Sequence, residues 1–456
     1  MSGDNHRALR TTPEVLALPK LSRKASHIEI EFTDEVLTPA GGSVFLAGMA
    51  RRLGLPRMLS QRMRLKSRRR GASDAQMLLS AIYSLATGDG ALRDVDRLGR
   101  DQARLEALGL ERSPGSRRLG EYLARFDEKS LDELQAIARA VAIRVAPTVV
   151  SHLVTTRGYV PVFLDGTAIE VDGSYVEGVR PGYNGEPQLW LHNVFLGNLW
   201  ASQRLLPGGV DVAEGWQEQL IWDVAPLIPQ GAPVWARMDN AYYRAEVVRY
   251  CRRHAWDFSI SVTSETYKKP LRRKLEALSA AAWQAISDDR SEEAAIVHHR
   301  PDGWDSDESY LVVRSHFDGA QRRLQPRHIF ILVSRTDLPL RELVRRHREK
   351  QGQENAQKGP LIDLDLHHPP CQKLDANRAF YTCGQLAQIL LIAIQYQLLP
   401  HSSRRHGLRT LIRDLVRTAA RLVRHGRKLV LKFAKCAPRL DWLAYAADRL
   451  DALPHS

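Results

Sequence analysis

Cysteine is scarce in this sequence and is never clustered. The four cysteines are Cys251, Cys371, Cys383 and Cys436, and no two of them form a C-x-x-C pair. This spacing argues against a zinc ribbon and against a disulfide framework. We expect all four to behave as small buried hydrophobic residues in a reducing compartment.

Long apolar segments are missing as well. The N-terminus has no apolar stretch of the kind that a secretory signal peptide requires, which predicts a cytoplasmic protein. The longest apolar run, residues 389–394, is flanked by glutamines and is too short to span a bilayer. It predicts a buried helix, and we expect no association with a membrane.

Acidic residues are outnumbered by basic ones. The 456-residue chain has 66 lysines and arginines against 52 aspartates and glutamates, which gives a net charge of +14 and a pI of about 9.7. Residues 51–70 contain nine basic side chains and no acid, and residues 401–456 contain thirteen basic and four acidic side chains. The excess favours a polyanionic partner, most simply nucleic acid, over the alternative of an ordinary basic soluble enzyme.

The spacing of apolar residues divides the chain into segments of different structure. A helical pattern before residue 150 gives way to strands that alternate with helices, which predicts an α/β sheet. The predicted segments are a flexible arm (1–26), an all-helical DNA-binding domain (27–150), the first part of an α/β catalytic domain (151–264), a β-rich insertion (265–327), the second part of the catalytic domain (328–400) and a basic helical region (401–456).

Two aspartates stand in nearly identical surroundings. Asp165 follows the apolar run 158–164, and Asp239 follows the apolar run 232–238. Each is followed by a small or polar residue and a turn, so both carboxylates are expected at the ends of buried strands. An aspartate after a strand is common in any long chain, and the shared context is what distinguishes this pair. The nearby acids with a weaker case are Glu170, Asp172 and Glu177.

A third candidate acid, Glu354, lies on a polar helix predicted for residues 340–358. Five residues share one helical face because they are spaced by 3, 4, 4 and 3 residues: His347, Lys350, Glu354, Lys358 and Leu361. A glutamate between two lysines is commonly a solvated ion-pair partner. The alternative is a metal ligand whose neighbouring lysines hold DNA phosphates. Glu342 and Glu349 are rival carboxylates on the same helix.

Two aspartates and a glutamate in this order suit a divalent-metal site. Mg²⁺ prefers oxygen ligands and keeps several waters, so two or three carboxylates suffice. Two such ions, about 3.5–4 Å apart, activate an oxygen nucleophile and stabilise the leaving oxygen of a phosphodiester. The sequence therefore predicts Asp165, Asp239 and Glu354 as catalytic metal ligands for two Mg²⁺ ions, with Mn²⁺ as a possible substitute.

Several motifs together resemble the DDE transposases of bacterial insertion sequences, in the branch called DDE group one. They are Leu164-Asp-Gly-Thr167, Arg237-Met-Asp-Asn-Ala-Tyr242, Arg345-Arg-His-Arg-Glu-Lys-Gln-Gly-Gln-Glu-Asn355, Leu37-Thr-Pro-Ala-Gly-Gly42 and Ala81-Ile-Tyr-Ser-Leu-Ala-Thr-Gly-Asp-Gly-Ala-Leu-Arg-Asp-Val-Asp-Arg97. The resemblance covers roughly residues 35–400. Each motif alone is weak, and their common order is fairly specific.

The resemblance implies a function as well as a fold. It implies an RNase H-like catalytic domain with a β-rich insertion between the second and third acids, in which Asp165, Asp239 and Glu354 are the catalytic triad. It also implies cut-and-paste transposition through terminal inverted repeats. The partners would be double-stranded DNA, as transposon ends and target, and a second copy of the chain on that DNA. The site of action would be the bacterial cytoplasm, at the nucleoid.

Relatives carry a tyrosine, arginine, glutamate and lysine signature around the third acid, and here only the glutamate matches. The other positions are His347, Lys350 and Leu361, and Lys358 stands one turn before the missing lysine. We expect the following residues of this helix to contact DNA: His347, Arg348, Lys350 and Lys358.

Three further groups are expected to bind DNA. The first is Arg68, Arg69 and Arg70 in the basic run. The second is Trp304, in a turn-rich segment, where the ring could stack on an extruded base or pack against the insertion's own strands. The third is a C-terminal stripe containing Arg417, Arg421 and Arg424, whose helical spacing predicts a basic amphipathic helix with almost no balancing acids except Asp414.

Two other functions fit the same residues. One is an RNase H-like metal-dependent nuclease that hydrolyses DNA without strand transfer. The other is a catalytically silent DNA-binding protein derived from a transposase. Products of strand transfer separate the first alternative from a transposase, and an absence of Mg²⁺-dependent nicking would support the second.

Overall fold

The computed structural model describes residues 16–17, 27–28, 32–67, 70–172, 175–182, 185–289, 291–318, 321–349, 359–426 and 428–452. The first short strands are β1 (Leu16–Ala17), β2 (His27–Ile28) and β3 (Leu37–Thr38). All structural statements below concern these described residues.

Helices fill the chain between residues 43 and 157, as the sequence pattern predicts. They are α1 (Ser43–Arg52), α2 (Leu55–Arg62), α3 (Asp74–Leu85), α4 (Val95–Arg100), α5 (Gln102–Leu108), α6 (Ser116–Leu123) and α7 (Glu128–Arg157). Local sequence explains where they begin. Ser73 and Gln76 form a capping box at the start of α3, and Asp127 accepts a hydrogen bond from the backbone of Ser130 at the start of α7.

A ten-stranded mixed sheet follows the helices. Its strands are β4 (Val160–Glu170), β5 (Arg180–Pro181), β6 (Pro187–Leu196), β7 (Leu199–Leu206), β8 (Val234–Met238), β9 (Asp257–Val262), β10 (Gln284–Ala285), β11 (Glu292–His299), β12 (Glu308–Asp318) and β13 (Gln321–Val333). Their order is β10-β11-β12-β13-β9-β8-β4-β6-β5, and β7 pairs with β6. The central strands β4, β8 and β9 are parallel neighbours. The predicted α/β class is confirmed.

The remaining helices lie between the strands of this sheet or after them along the chain. They are α8 (Trp216–Glu218), which continues as a π-helical turn over Gln219–Val224, α9 (Ala245–Arg253), α10 (Glu265–Glu276), α11 (Leu340–His347), α12 (Leu374–Ala393), α13 (Leu408–Leu411) and α14 (Leu440–Ala452). One hydrophobic core runs from Phe45 in α1 through the sheet to Ala446 in α14. The N-terminal helices and the sheet therefore share a core, and burying so much apolar surface is the main stabilising contribution.

The segment predicted as an insertion extends the sheet instead of forming a separate layer. It begins with α10, and its strands β10 to β13 lie beyond β9. β13 pairs with β9 over Phe330–Val333, so the inserted strands continue the central sheet at its edge. The strand predicted at 329–333 is the last part of β13.

The prediction of a basic amphipathic helix through Arg417, Arg421 and Arg424 is wrong for Arg421 and Arg424, which lie on a strand. The chain forms α13 and a π-helical turn at Ile412–Val416, and then a hairpin of β14 (Ala420–His425) and β15 (Lys428–Phe433). Gly426 lies in the turn with a φ of 59°, a conformation that glycine adopts without strain. β14 also pairs with β3, which attaches the hairpin to the N-terminal region.

One described helix, α7, is long and apolar enough to cross a membrane by length and composition alone. Half of its most apolar window is buried inside the protein, where α7 packs against α12. Core helices of soluble proteins have the same properties, so α7 does not indicate a membrane protein.

The four cysteines are free thiols in different environments. Cys251 and Cys383 are buried, as predicted, and Cys371 is half-buried. Cys436 is exposed, so the prediction that all four are buried is wrong for this residue. Burial raises the pKa of Cys251 and of Cys383 to about 12, which keeps both as unreactive thiols.

Candidate active site

Asp165 and Asp239 lie side by side on adjacent parallel strands. Leu164 of β4 pairs with Met238 of β8, and Met238 pairs with Ile260 of β9. The next residue on each strand is Asp165, Asp239 and Ser261. Because successive side chains on a strand point to opposite faces, residues at equal positions on neighbouring strands share a face. The two carboxylates therefore lie on one face, at the same level, with Ser261 beyond them.

Short backbone contacts hold each carboxylate. An Asp165 carboxylate oxygen accepts a hydrogen bond from the amide of Gly166 at 3.0 Å, and Asp239 accepts one from the amide of Ala241 at 2.9 Å. Both side chains are half-buried. Gly166 is required by packing, because a Cβ at this position would lie 2.4 Å from the indole of Trp190. The motif glycine thus leaves room for the Trp190 indole beside the first aspartate.

Tyr242 and His192 form a buried pair close to the two aspartates. The two rings stack with centroids 5.7 Å apart, and the His192 ring nitrogen Nε2 is hydrogen-bonded to the Tyr242 hydroxyl. The pKa of Tyr242 is raised well above its usual range, first by burial and then by the negative charges of Asp239 and Asp165. Both carboxylates are therefore close enough to raise the pKa of this one buried hydroxyl. The sequence analysis did not identify this pair, although Tyr242 belongs to one of the quoted motifs.

We expect His192 to make stability depend on pH. Burial lowers the pKa of His192 to about 4, whereas an unfolded histidine titrates near 6.5. The unfolded chain then binds the proton first, so stability is complete above about pH 6.5 and falls as the pH drops towards 4. The contribution is roughly 3 kcal/mol over this window. Chemical denaturation at several pH values, compared between the wild type and His192→Gln, measures it. Parallel curves for the two proteins would contradict the assignment.

The end of α11 reaches the level of the two aspartates. His347 is buried, and its ring nitrogen Nε2 lies 3.1 Å from the Ser261 hydroxyl. Ser261 stands on the same face and at the same level as Asp165 and Asp239. The expectation that His347 contacts DNA is not supported, because its ring is enclosed by the protein. Its position instead anchors the end of α11 against β9.

The two rival glutamates, Glu342 in α11 and Glu349 in the turn after it, form contacts away from the aspartates. Glu342 is paired with Arg345 and Arg346, both at 2.7 Å, and these contacts lower its pKa to about 2. Glu349 accepts hydrogen bonds from the Tyr159 hydroxyl at 2.8 Å and from Arg157 at 3.1 Å. Tyr159 precedes β4, at the end of the strand opposite to Asp165. Neither glutamate lies with the aspartates.

The predicted residues Glu354, Lys350 and Lys358 lie outside the described residues, as do Arg68 and Arg69. The chain around Glu354 connects two elements that cover the same sheet face. α11 contacts this face through Arg346, which lies over the rings of Tyr159 and Trp235. α12 contacts it through Thr382, which accepts a hydrogen bond from Gln203 of β7 at 3.0 Å. Both helices therefore contact the sheet face that carries Asp165.

The described residues fit a hard divalent cation. Both candidate ligands are carboxylates held at fixed strand positions, and Mg²⁺ is bound in proteins by one or two carboxylates together with waters and substrate phosphates. The described part of the chain assembles no group of three metal-binding side chains here or elsewhere. The predicted third ligand, Glu354, lies outside the described ranges, so its place relative to the two aspartates stays a prediction.

The sequence matches the family described as transposase DDE domain, group 1, over residues 21–455. The chain belongs to this family. The match spans the N-terminal helices, the sheet with both aspartates and the C-terminal hairpin. It confirms the resemblance carried by the motifs. Membership implies a transposition enzyme whose partner is DNA, in a family that typically uses divalent metals. No curated protein matches the sequence.

Two other residues expected to bind DNA in this transposase-family protein make contacts within the protein. Arg348 forms a double hydrogen bond with Glu292, at 2.5 and 2.6 Å. Trp304 is half-buried, and its ring lies 5.1 Å from the ring of Tyr243. Tyr243 lies before α9, so this packing partner comes from outside the insertion. The placement favours packing of the ring within the protein, and its stacking on a base stays a prediction.

The C-terminal arginines are paired with acids, contrary to the prediction of an unbalanced stripe. Arg417 donates to Asp89 at 2.8 Å, Arg421 lies 2.9 Å from Glu35, and Arg424 lies 2.9 Å from Glu106. All three acids belong to the N-terminal region. The stripe therefore docks the hairpin onto the N-terminal helices. Local sequence could not show this, because the partners are distant along the chain.

We expect these ion-paired arginines to contribute little to DNA binding. In Arg421→Gln/Arg424→Gln, the slope of log K against log salt for duplex DNA should stay unchanged. Each phosphate contact would contribute about 0.9 to that slope. Filter binding at several salt concentrations measures it. A slope flattened by about 1.8 units would restore the original prediction that the stripe holds DNA.

Proposed function

We propose that the protein is a DNA transposase that binds terminal inverted repeats and catalyses metal-dependent strand cleavage and strand transfer, by cut-and-paste transposition. One observation carries the proposal: Asp165 and Asp239 share a face and a level on adjacent parallel strands, in a chain of the DDE family. Strand ends are rigid, and a rigid scaffold is what a phosphoryl-transfer site needs.

The catalytic domain is proposed to be RNase H-like. Support comes from the mixed sheet, in which the antiparallel strands β6 and β7 adjoin the parallel strands β4, β8 and β9. The inserted strands β10 to β13 lie between the second acid and α11 along the chain, which agrees with an insertion between the second and third acids.

Glu354 is proposed as the third acid. The rival glutamates are engaged with arginines and with Tyr159, away from the aspartates. Glu354 stands five residues beyond Glu349, and five residues reach at most about 17 Å. The end of α11 is already at the level of the aspartates through His347 and Ser261. A ligand from this connection can therefore complete the site.

Asp165, Asp239 and Glu354 would hold two Mg²⁺ ions, or Mn²⁺ in their place. When bound, the ions would lower the pKa of an attacking water or 3′-hydroxyl and stabilise the leaving oxygen. The chain's own contribution is positioning. The amides of Gly166 and Ala241 orient the two aspartates, and the buried His192–Tyr242 pair supports the turn after β8.

Double-stranded DNA is the proposed partner, both as transposon ends and as target. Cut-and-paste transposition has to bring two ends together, so the active form is proposed to be a homodimer on DNA. The proposed place of action is the bacterial cytoplasm, at the nucleoid. The net charge of +14 favours association with DNA at rates raised by electrostatic steering.

A strand-transfer reaction tests the proposal. The purified protein is incubated with Mg²⁺, a labelled DNA that carries the inverted repeats flanking its own reading frame, and a supercoiled target plasmid. Labelled ends joined to the plasmid are the expected result. Cleaved but unjoined ends would indicate a nuclease, and DNA that is bound without Mg²⁺-dependent nicking would indicate a silent DNA-binding protein.

A further inference from the structure

A basic groove lies on the N-terminal helices, far along the chain from the catalytic residues. It has a volume of about 490 Å³ and runs between the loop before α3 and the segment that contains α6. Six of its lining residues are basic: Lys66, Arg70, Arg112, Arg117, Arg118 and Arg125. Its one acidic lining residue is Glu121. We call this surface the α6 groove.

The charge of the α6 groove is largely uncompensated within the described part of the chain. Arg117 pairs with Glu121 at 3.0 Å, and both side chains are exposed. The described residues place no carboxylate within 4.0 Å of the guanidinium groups of Arg112, Arg118 or Arg125. This differs from the C-terminal stripe, where Arg417, Arg421 and Arg424 each have an acid partner. Arg68 and Arg69, outside the described residues, adjoin the groove in sequence.

The first turn of α6 is an unfavourable position for arginines, and only Arg117 has an ion-pair partner on the same helix, Glu121. Arg117 and Arg118 lie in its first turn, and the positive end of a helix dipole disfavours cations there. At the start of α6, Asp96 supplies a negative charge instead. Its carboxylate accepts hydrogen bonds from the Ser116 amide at 2.8 Å and from the Ser116 hydroxyl at 2.7 Å. The exposed Arg117–Glu121 pair contributes little to folding stability, whereas attraction to an external polyanion accounts for the whole cluster.

The floor of the groove is buried and its cationic groups are accessible. Arg112, Arg118 and Arg125 are exposed, whereas Tyr122 and Met77 beneath them are buried. Arginine guanidinium groups match phosphate oxygens in geometry and keep their charge at all relevant pH values. Several such groups around one groove suit a partner whose negative charges recur at regular spacing, and duplex DNA has this property.

We propose that the α6 groove binds the phosphate backbone of duplex DNA, through Arg70, Arg112, Arg118 and Arg125, while Lys66 donates to the backbone carbonyls of Arg70 and Ala72 in the wall of the groove. The proposal rests on the proposed function, because it names the surface by which the transposase holds its DNA. Phosphate contacts carry no sequence information, so the groove contributes to binding of any duplex. Recognition of the inverted repeats has to come from other contacts.

The test compares Arg112→Gln/Arg118→Gln/Arg125→Gln with a matched control, Arg253→Gln/Arg273→Gln/Lys274→Gln. The control removes the same charge from exposed positions outside the groove. Binding of a labelled duplex of unrelated sequence, and of one that carries the inverted repeats, is measured over a range of salt concentrations. Circular dichroism and thermal unfolding check that each variant is folded, which exposed substitutions should leave intact.

The groove variant should flatten the slope of log K against log salt by up to about 2.7 units, equally for both duplexes. The control should keep the wild-type slope. The reverse change is a second test: Glu121→Gln removes the groove's acid and frees Arg117, so it should tighten binding and steepen the slope by up to about 0.9. A groove variant with the wild-type slope would overturn the proposal, and so would a loss confined to the repeat-containing duplex.

These outcomes are separable from those of the proposed function. If the wild-type protein binds and cleaves DNA while the groove variant keeps the wild-type slope, the groove assignment fails and the transposase assignment stands. If the groove variant loses salt-dependent binding but the wild type shows no Mg²⁺-dependent cleavage, the groove stands and the catalytic proposal fails.

Discussion

Replacing Asp165 or Asp239 with asparagine is expected to abolish DNA cleavage and to leave DNA binding almost unchanged. Asparagine has nearly the same shape and can still accept the backbone hydrogen bonds from Gly166 and Ala241. It removes the negative charge that a divalent cation requires. Even residues that only support metal ligands cost about 10–100-fold when changed, so the loss here should exceed 100-fold. Nicking of end-containing DNA in Mg²⁺ measures it.

Asp257→Asn is the matched control for this prediction. Asp257 lies on the same sheet face, on β9, but at the opposite end of the parallel strands, where it pairs with Arg335 at 3.2 Å. Its replacement should leave the cleavage rate within about twofold of the wild type, because an exposed ion pair contributes only about 0–1 kcal/mol. Near-normal cleavage by Asp165→Asn or Asp239→Asn would show that the site lies elsewhere.

The second large effect is expected at the third acid. Glu354→Gln should reduce cleavage by more than about 100-fold, for the same reason as the aspartates. Glu349→Gln should retain cleavage, because Glu349 is held by Tyr159 and Arg157 away from the aspartates. Single-turnover cleavage rates of the two variants provide the comparison. Binding of repeat-containing DNA by both variants serves as the check that each is folded.

The opposite outcome is equally informative. If Glu349→Gln lost cleavage and Glu354→Gln kept it, the third acid would be Glu349 and the chain after α11 would have to rearrange on DNA. Glu342→Gln provides a further control, since Glu342 is neutralised by two arginines. It should behave like the wild type in cleavage.

The aspartate pair could be predicted from sequence because its determinants are local. An apolar run, an aspartate and a turn define where each strand ends, and the sheet then needs only parallel pairing to bring Asp165 and Asp239 together. The α/β class followed from the same alternation. The inserted strands were located, but their continuity with the central sheet depends on the pairing of β13 with β9, which no local pattern encodes.

The C-terminal arginines could not be placed from sequence for a different reason. Spacings of three and four residues suit a helix, yet alternating exposed Arg421 and buried Leu422 suits a strand equally well. Gly426 and the pairing of β14 with β3 decide between them. The acids that neutralise Arg417 and Arg424 come from the opposite end of the chain. Long-range charge pairing of this kind leaves no trace in local periodicity.

The basic groove and the buried histidine were missed because both depend on packing. The groove joins the loop before α3 to residues around α6, so its charge density appears only after folding. His192 lies in an apolar strand, where a histidine is an ordinary core residue until its contact with Tyr242 is known. Tyr242 lies in one of the quoted sequence motifs. Its burial close to Asp165 and Asp239 appears only in the structure.

The central claim is that Asp165 and Asp239 jointly hold a divalent cation. Exchanging the metal tests this claim most directly. Mg²⁺ binds thiolates poorly, and the softer Mn²⁺ tolerates them better. Cleavage by Asp165→Cys and by Asp239→Cys is therefore measured in Mg²⁺ and in Mn²⁺, beside the wild type and Asp257→Cys. The account predicts that both active-site variants lose cleavage in Mg²⁺ and recover it in Mn²⁺, while Asp257→Cys works with either metal. Full Mg²⁺-supported cleavage by Asp165→Cys or Asp239→Cys would contradict it.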